Sequence, residues 1–344
     1  MSRQPHPVEC PPLLESAPPV VMPKPTRAGS FTRWARLLPV VLIGGLAVIG
    51  LLAYCLTRDT LAPGVDLTPY LYQDTRRLVL FVEEAAEYLT RRGPACFEEF
   101  KVKNSRWYRG DRYLFVYDLE GRCLFHPSLP TLMGRELIDF RDILGKPVIR
   151  MITDIGRQPG DRAHGWVFYL WESGEQILPL WKSSYIRKVI GPDGRIYLIG
   201  SGSYNLKMEK VFVQQRVDQA AQLLEREGKP AFAQLCDPAS DYHFLDTFIF
   251  VLDFNGRTLV DPAYPTLQGR NLYNFQDLSG RFVIRAMVET LRSKETGWLQ
   301  YRWHRPDMVQ PLRKLIYFRK VRVADQWLIV GSDFFLATPI WVRS

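Results

Sequence analysis

The sequence predicts an α+β protein made of two tandem copies of one unit, each a long helix followed by an antiparallel sheet of about five strands. Three observations predict it. The segment GRCLFHPSLPTLMGREL at 121–137 returns as GRTLVDPAYPTLQGRNL at 256–272, an offset of 135 positions. The match extends in both directions: AAEYLTRRGPACF at 85–97 aligns with AAQLLEREGKPAF at 220–232, and Gly145, Val148, Ile149 and Arg150 align with Gly280, Val283, Ile284 and Arg285. Beyond a three-residue slip, Gly165, Trp166, Tyr169, Trp171, Pro179, Lys182, Tyr185 and Arg187 meet Gly297, Trp298, Tyr301, Trp303, Pro311, Lys314, Tyr317 and Arg319. A period this long means tandem domains rather than a solenoid. Finally, the 344 residues are 47% hydrophobic and 24% charged, a composition that can bury two cores.

Residues 1–36 are rich in proline and lack hydrophobic periodicity, so they read as a disordered tail. Residues 37–56, LLPVVLIGGLAVIGLLAYCL, contain no charge and are long enough to cross about 30 Å of hydrocarbon as a helix. Lys24, Arg27, Arg33 and Arg36 precede this run, while only Arg58 and Asp59 follow it closely. The positive-inside rule then places the N-terminus in the cytoplasm and everything after the helix outside. The long leading tail favours an uncleaved anchor over a signal peptide.

A linker at 57–68 leads to unit A, residues 69–205. Pro69 opens a helix that Gly93 closes, with Leu78, Phe81, Val82, Ala85 and Leu89 at helical spacing. A hairpin follows at 113–125, turning at 118–121, where Gly121 tolerates a positive φ. Pro127 ends its return strand. Pro147 suits a first helical turn, and Val148, Met151, Ile152 and Ile155 form one apolar face. Strands at 166–171, 177–190 and 195–199 complete the sheet, joined by turns at 172–176 and 191–194. Unit B, residues 206–337, repeats this order, with its helix running from about Leu206 to Glu227, and residues 338–344 form a tail.

The combination Gly121…His126-Pro127…Leu132-x-Gly134, Asp142-x-x-Gly145, Gly165-Trp166-x-x-Tyr169-x-Trp171, Pro179-x-x-Lys182-x-x-Tyr185 and Gly200-Ser201-Gly202-x-Tyr204 resembles the single-Cache type 2 family. These are PAS-like extracytoplasmic sensor modules of bacterial chemoreceptors and histidine kinases. The resemblance covers residues 69–204 and, less completely, 206–335. It implies a small organic ligand, often a short carboxylate, held in a pocket on the sheet, and a setting at the bacterial inner membrane with both units periplasmic or extracellular. Two features depart from the pattern. No segment resembles a cytoplasmic output domain, and unit B has Asp261 for the histidine and Asp333 for the last glycine.

Strand parity locates the candidate site. Val167, Tyr169 and Trp171 keep their apolar or aromatic character as Leu299, Tyr301 and Trp303, which marks the buried face. On the next strand Leu180, Lys182, Ser184 and Ile186 share a face, as do Leu312, Lys314, Ile316 and Phe318. An inward ammonium is costly unless an anion pairs with it or it stays partly wet. Asp261 can supply that anion to Lys314, whereas His126 cannot supply one to Lys182. Unit A is therefore expected to hold Lys182 for a ligand carboxylate, with His126, Tyr169, Trp171 and Tyr185 around it. In unit B, Lys314, Asp261, Tyr301, Trp303 and Tyr317 occupy the equivalent positions in a self-neutralised, chiefly structural copy. The competing reading has both lysines snorkelling to solvent at the pocket rim. Tyr185 has the opposite parity to Lys182 and reaches the pocket only if the strand twists.

Other classes find little support. The charge of +9 is scattered, without the stripe or motif of a nucleic-acid binder. No metal-ligand or C-x-x-C spacing occurs, and GSGSY at 200–204 lacks the strand–turn–helix context of a nucleophile, so no cofactor and no enzyme activity is expected. Cys96 and Cys123 are compatible with a bridge or with buried free thiols. A homodimer and a separate signalling protein both remain open as partners, and a membrane-tethered adaptor that senses nothing is the alternative function.

Overall fold

The structure, a computed structural model, describes residues 64–173, 177–303 and 311–336. The predicted tail and apolar anchor at 1–56 lie outside the described residues, as do part of the turn at 172–176 and the C-terminal tail. Among the described residues no helix is long and apolar enough to cross a membrane. All described residues belong to one compact unit, Thr60–Ser344.

The first module begins with α1 (Gln73–Arg92), continues through a 3-10 turn, Gly93–Cys96, into α2 (Phe97–Phe100), and then forms the hairpin β1 (Phe115–Tyr117) and β2 (Cys123–Phe125). After α3 (Val148–Arg157) come β3 (His164–Trp171), β4 (Leu180–Ile190) and β5 (Ile196–Tyr204). The second module repeats this as α4 (Lys210–Glu227), α5 (Ala231–Cys236), β6 (Ile249–Asp253), β7 (Thr258–Val260), α6 (Val283–Ser293), β8 (Thr296–Trp303), β9 (Leu312–Val323) and β10 (Gln326–Phe335). Both sheets are antiparallel, ordered β2-β1-β5-β4-β3 and β7-β6-β10-β9-β8. Gly121 and Gly256 take φ +84° in equivalent hairpin turns, as the sequence requires.

Helix α1 starts four residues after Pro69, and the reason is a distant side chain. Glu209, 1% exposed, accepts hydrogen bonds from the amides of Leu71 (2.8 Å) and Tyr72 (2.9 Å), groups that a helix start leaves without partners. Strand β5 is longer than the apolar run predicts, because Gly200–Tyr204 continue pairing with β4 through Lys182.

Each sheet is covered on both faces. Leu78, Phe81, Val82, Ala85 and Leu89 of α1 are buried against one face of the first sheet, and Val148, Ile152 and Ile155 of α3 join a second core on the other. In the second module α4 and α6 take those places. The α1 and α4 cores are continuous. Phe212 of α4 sits against Trp166 and Phe168 of β3 at ring distances of 4.8 and 5.2 Å, and Phe244 stands 4.8 Å from Phe168. This explains why Phe168 and Leu170 become Gln300 and Arg302 in the second copy: the equivalent face of β8 is exposed there. Cys96 and Cys123 are buried free thiols, pushed up to about 12 and about 11 by burial.

Candidate functional site

In the first module the α3-facing side of the sheet carries Lys182, Ser184 and Ile186 of β4 beside Tyr169 and Trp171 of β3, since β3 pairs with β4 through Tyr169 and Lys182. Lys182 is 1% exposed, so it does not snorkel. Its Nζ donates to Tyr113 Oη at 2.7 Å and lies over the rings of Tyr113 (4.3 Å) and Tyr204 (5.2 Å). Among the described residues it forms no ion pair. Burial lowers its pKa to about 7, offset only in part by the exposed Asp111. Tyr169 bonds Ser184 at 2.9 Å.

His126 follows β2 and is 2% exposed. Its Nδ1 accepts the Leu129 amide at 3.0 Å, which puts the proton of the neutral ring on Nε2. Burial, then the Lys182 charge, lowers its pKa to about 4, so the ring is neutral at neutral pH. The ring stands 5.2 Å from Tyr113 and 6.1 Å from Trp171. Lys182, His126, Tyr169 and Trp171 thus share one side of the first sheet. That side is closed by the segment between β2 and α3, whose Leu129, Leu132 and Phe140 pack against it. A surface depression of about 520 Å³ at the end of β5 is lined by Arg77, Asp111, Arg112, Gly202 and Tyr204.

Tyr185 is not part of this group. It faces α1, where its hydroxyl donates to Glu83 at 2.8 Å, and Arg187 Nε pairs with the same carboxylate at 3.1 Å. Strict alternation along β4 keeps it on the opposite face. Tyr317 repeats this arrangement, donating to Asp218 at 3.3 Å beside the Arg319–Asp218 pair at 2.7 Å. These residues fasten each long helix to its sheet.

In the second module the counter-ion of Lys314 is Asp333, not Asp261. Lys314 Nζ lies 2.6 Å from Asp333 Oδ1, and Tyr301 donates its hydroxyl to Asp333 Oδ2. Asp333 pairs with Ile316 and Phe335 with Lys314 across β9 and β10, so Asp333 and Lys314 are diagonal neighbours on one face. Asp261 takes over the local task of His126: its Oδ1 accepts the Tyr264 amide at 2.9 Å. Burial, helped by Asp333, raises its pKa to about 6. Asp261, Tyr301, Trp303, Lys314 and Asp333 all line a cavity of about 410 Å³.

The position of Asp333 is Gly202 in the first module. A Cβ there would press on Ser184 Oγ and come within 2.7 Å of Lys182 Cε, so glycine leaves Lys182 its place. Sequence reasoning puts Ser184 on the Lys182 face but does not single out Tyr113 or the role of Asp333. The exchange of glycine for aspartate beside an inward lysine was the available signal. Among the described residues no cluster of His, Cys, Asp and Glu could hold a metal ion.

A Cache domain family model, dCache_2, matches residues 100–210 and again 210–334. The methyl-accepting chemotaxis protein McpP of Pseudomonas putida is 29% identical over 195 residues, which are 56% of this chain and 35% of that protein; the chain thus spans about a third of its relative. Among solved structures, a methyl-accepting chemotaxis protein of Vibrio parahaemolyticus is 20% identical over 37% of this chain and 87% of its own, with a TM-score of 0.31. A Cache chemosensory domain studied for carboxylic acid recognition is 22% identical, covering 36% of this chain and 91% of its own at a TM-score of 0.32. Its two consecutive family matches span most of the sequence, and the chain belongs to the Cache domain family.

Proposed function

We propose that this chain is a membrane-anchored extracytoplasmic sensor whose first module binds a short organic acid. The observation that carries the reading is the contrast between the two inward lysines. Lys314 has a carboxylate 2.6 Å away, whereas Lys182 is more deeply buried and has a phenol. A buried ammonium without an anion is unfavourable, so a carboxylate reaching it releases stored free energy. In this reading the ligand carboxylate takes the role that Asp333 plays for Lys314. The Nε2 proton of His126 supplies a second donor, and Trp171 and Tyr169 provide walls. Binding requires the segment between β2 and α3 to part from the sheet.

The anchor is assigned to residues 37–56, with the N-terminus cytoplasmic and both modules outside the inner membrane. The similarity to a methyl-accepting chemotaxis protein supports a sensory role, with the signal passed to a partner protein. Thermal shift and calorimetry of the full-length protein with C2–C4 monocarboxylates test the proposal. A cognate acid at a hundredfold excess over Kd should add about 2.7 kcal/mol to stability, and Lys182→Met should abolish that gain. No gain with any acid would leave the chain as an adaptor, and an equal gain in the variant would remove Lys182 from the binding site.

A further inference from the structure

The second module has its own cavity, and its charge is the reverse of the Lys182 site. Three carboxylates line it, from Asp246, Asp261 and Asp333, against one ammonium, from Lys314. The Lys314 charge is spent on Asp333. Asp261 forms no ion pair among the described residues, and its Oδ1 accepts the Tyr264 amide. Around these groups stand rings: Tyr301 and Tyr264 lie 6.0 and 5.7 Å from Trp303, and Phe250, Phe248 and Phe275 complete the wall. A carboxylate without a counter-ion inside an aromatic wall favours a cation, through charge and through the ring faces. An anionic ligand would meet Asp261 and Asp333 at close range and is disfavoured.

We infer that the cavity of the second module binds a small organic cation, with Asp261 as its counter-ion and Trp303, Tyr264 and Tyr301 as its aromatic wall. This goes beyond the acid-binding reading of the first module and does not depend on it. The exchange of His126 for Asp261 acquires a meaning on this basis. Both residues hold the same turn through the amide three positions on, but only the aspartate adds a negative charge to the cavity. The about 410 Å³ available accommodates an aromatic amine or a quaternary ammonium ion.

The test is calorimetry on the full-length protein with benzylammonium and tetramethylammonium as probes, and with benzyl alcohol and benzoate as neutral and anionic counterparts. At least one of the two cations should bind, and benzoate should not. Asp261→Asn keeps an acceptor for the Tyr264 amide, and it should weaken cation binding by about tenfold or more, the cost of a charge-assisted contact. Lys182→Met should leave cation binding unchanged, which separates this site from the acid site. Failure of both cations to bind, equal binding of benzyl alcohol and benzylammonium, tighter binding of benzoate, or an unchanged affinity in Asp261→Asn would overturn the inference.

Discussion

Replacing Lys182 by methionine should make the protein more stable while removing acid binding. The magnitude follows from the site. Burial moves the ammonium from 10.5 to about 7, so keeping or discharging it at pH 7 costs about 4 kcal/mol at ~1.36 kcal/mol per pH unit. Methionine has a similar shape and needs no partner. It forfeits the 2.7 Å bond to Tyr113, worth about 1 kcal/mol. The expected gain is therefore roughly 3 kcal/mol, read as a higher urea midpoint at an unchanged m value. Calorimetry on the same preparation should show no heat with C2–C4 acids. A variant less stable than wild type would refute the argument that the ammonium is an uncompensated charge. Retained acid affinity would refute its role in binding.

The same ammonium sets two pH dependences. Between pH 7 and 10.5 the unfolded chain holds one more proton than the folded protein, so wild type should gain stability relative to Lys182→Met as pH rises through that window. Acid affinity should fall about tenfold between pH 6 and pH 8, because the apo protein loses the ammonium across that range, as titration calorimetry would show. Asp333→Asn leaves Lys314 without its anion and should cost about 2 kcal/mol, with the double variant Lys314→Met/Asp333→Asn recovering most of it in denaturant melts. Gly331→Ala places a methyl group against the Phe250 ring, with Cε1 at 2.9 Å, and should lower stability by about 1–3 kcal/mol in a thermal melt. Phe168→Ala empties the junction with Phe212 and Phe244. It should cost about 3–5 kcal/mol and split the unfolding of the two modules into separable calorimetric transitions.

The fold could be read because repetition doubles every signal. Gly121 and Gly256 mark one turn twice, and Val148, Ile149 and Arg150 recur as Val283, Ile284 and Arg285 at the start of one amphipathic helix. What escaped depends on contacts distant in sequence. The start of α1 is fixed by Glu209, more than a hundred residues away, and no local pattern contains it. The Lys314–Asp333 pair depends on the register of β9 and β10, which turn at Ala324, at φ +51°, without a glycine to betray the turn. Tyr185 recurs as Tyr317, and both recur to hold a helix carboxylate, Glu83 or Asp218. Recurrence marks constraint, and strand parity tells which face imposes it.

Glu209 belongs by sequence to the beginning of α4, and the amides it satisfies belong to the beginning of α1. The opening turns of the two long helices are in this way one thermodynamic element. Fraying at either end leaves a buried carboxylate or two bare amides at the other, so neither module sets the free energy of its own first turn alone. A displacement of one opening turn would therefore alter the opening equilibrium of the other, without any rearrangement of the sheets between them.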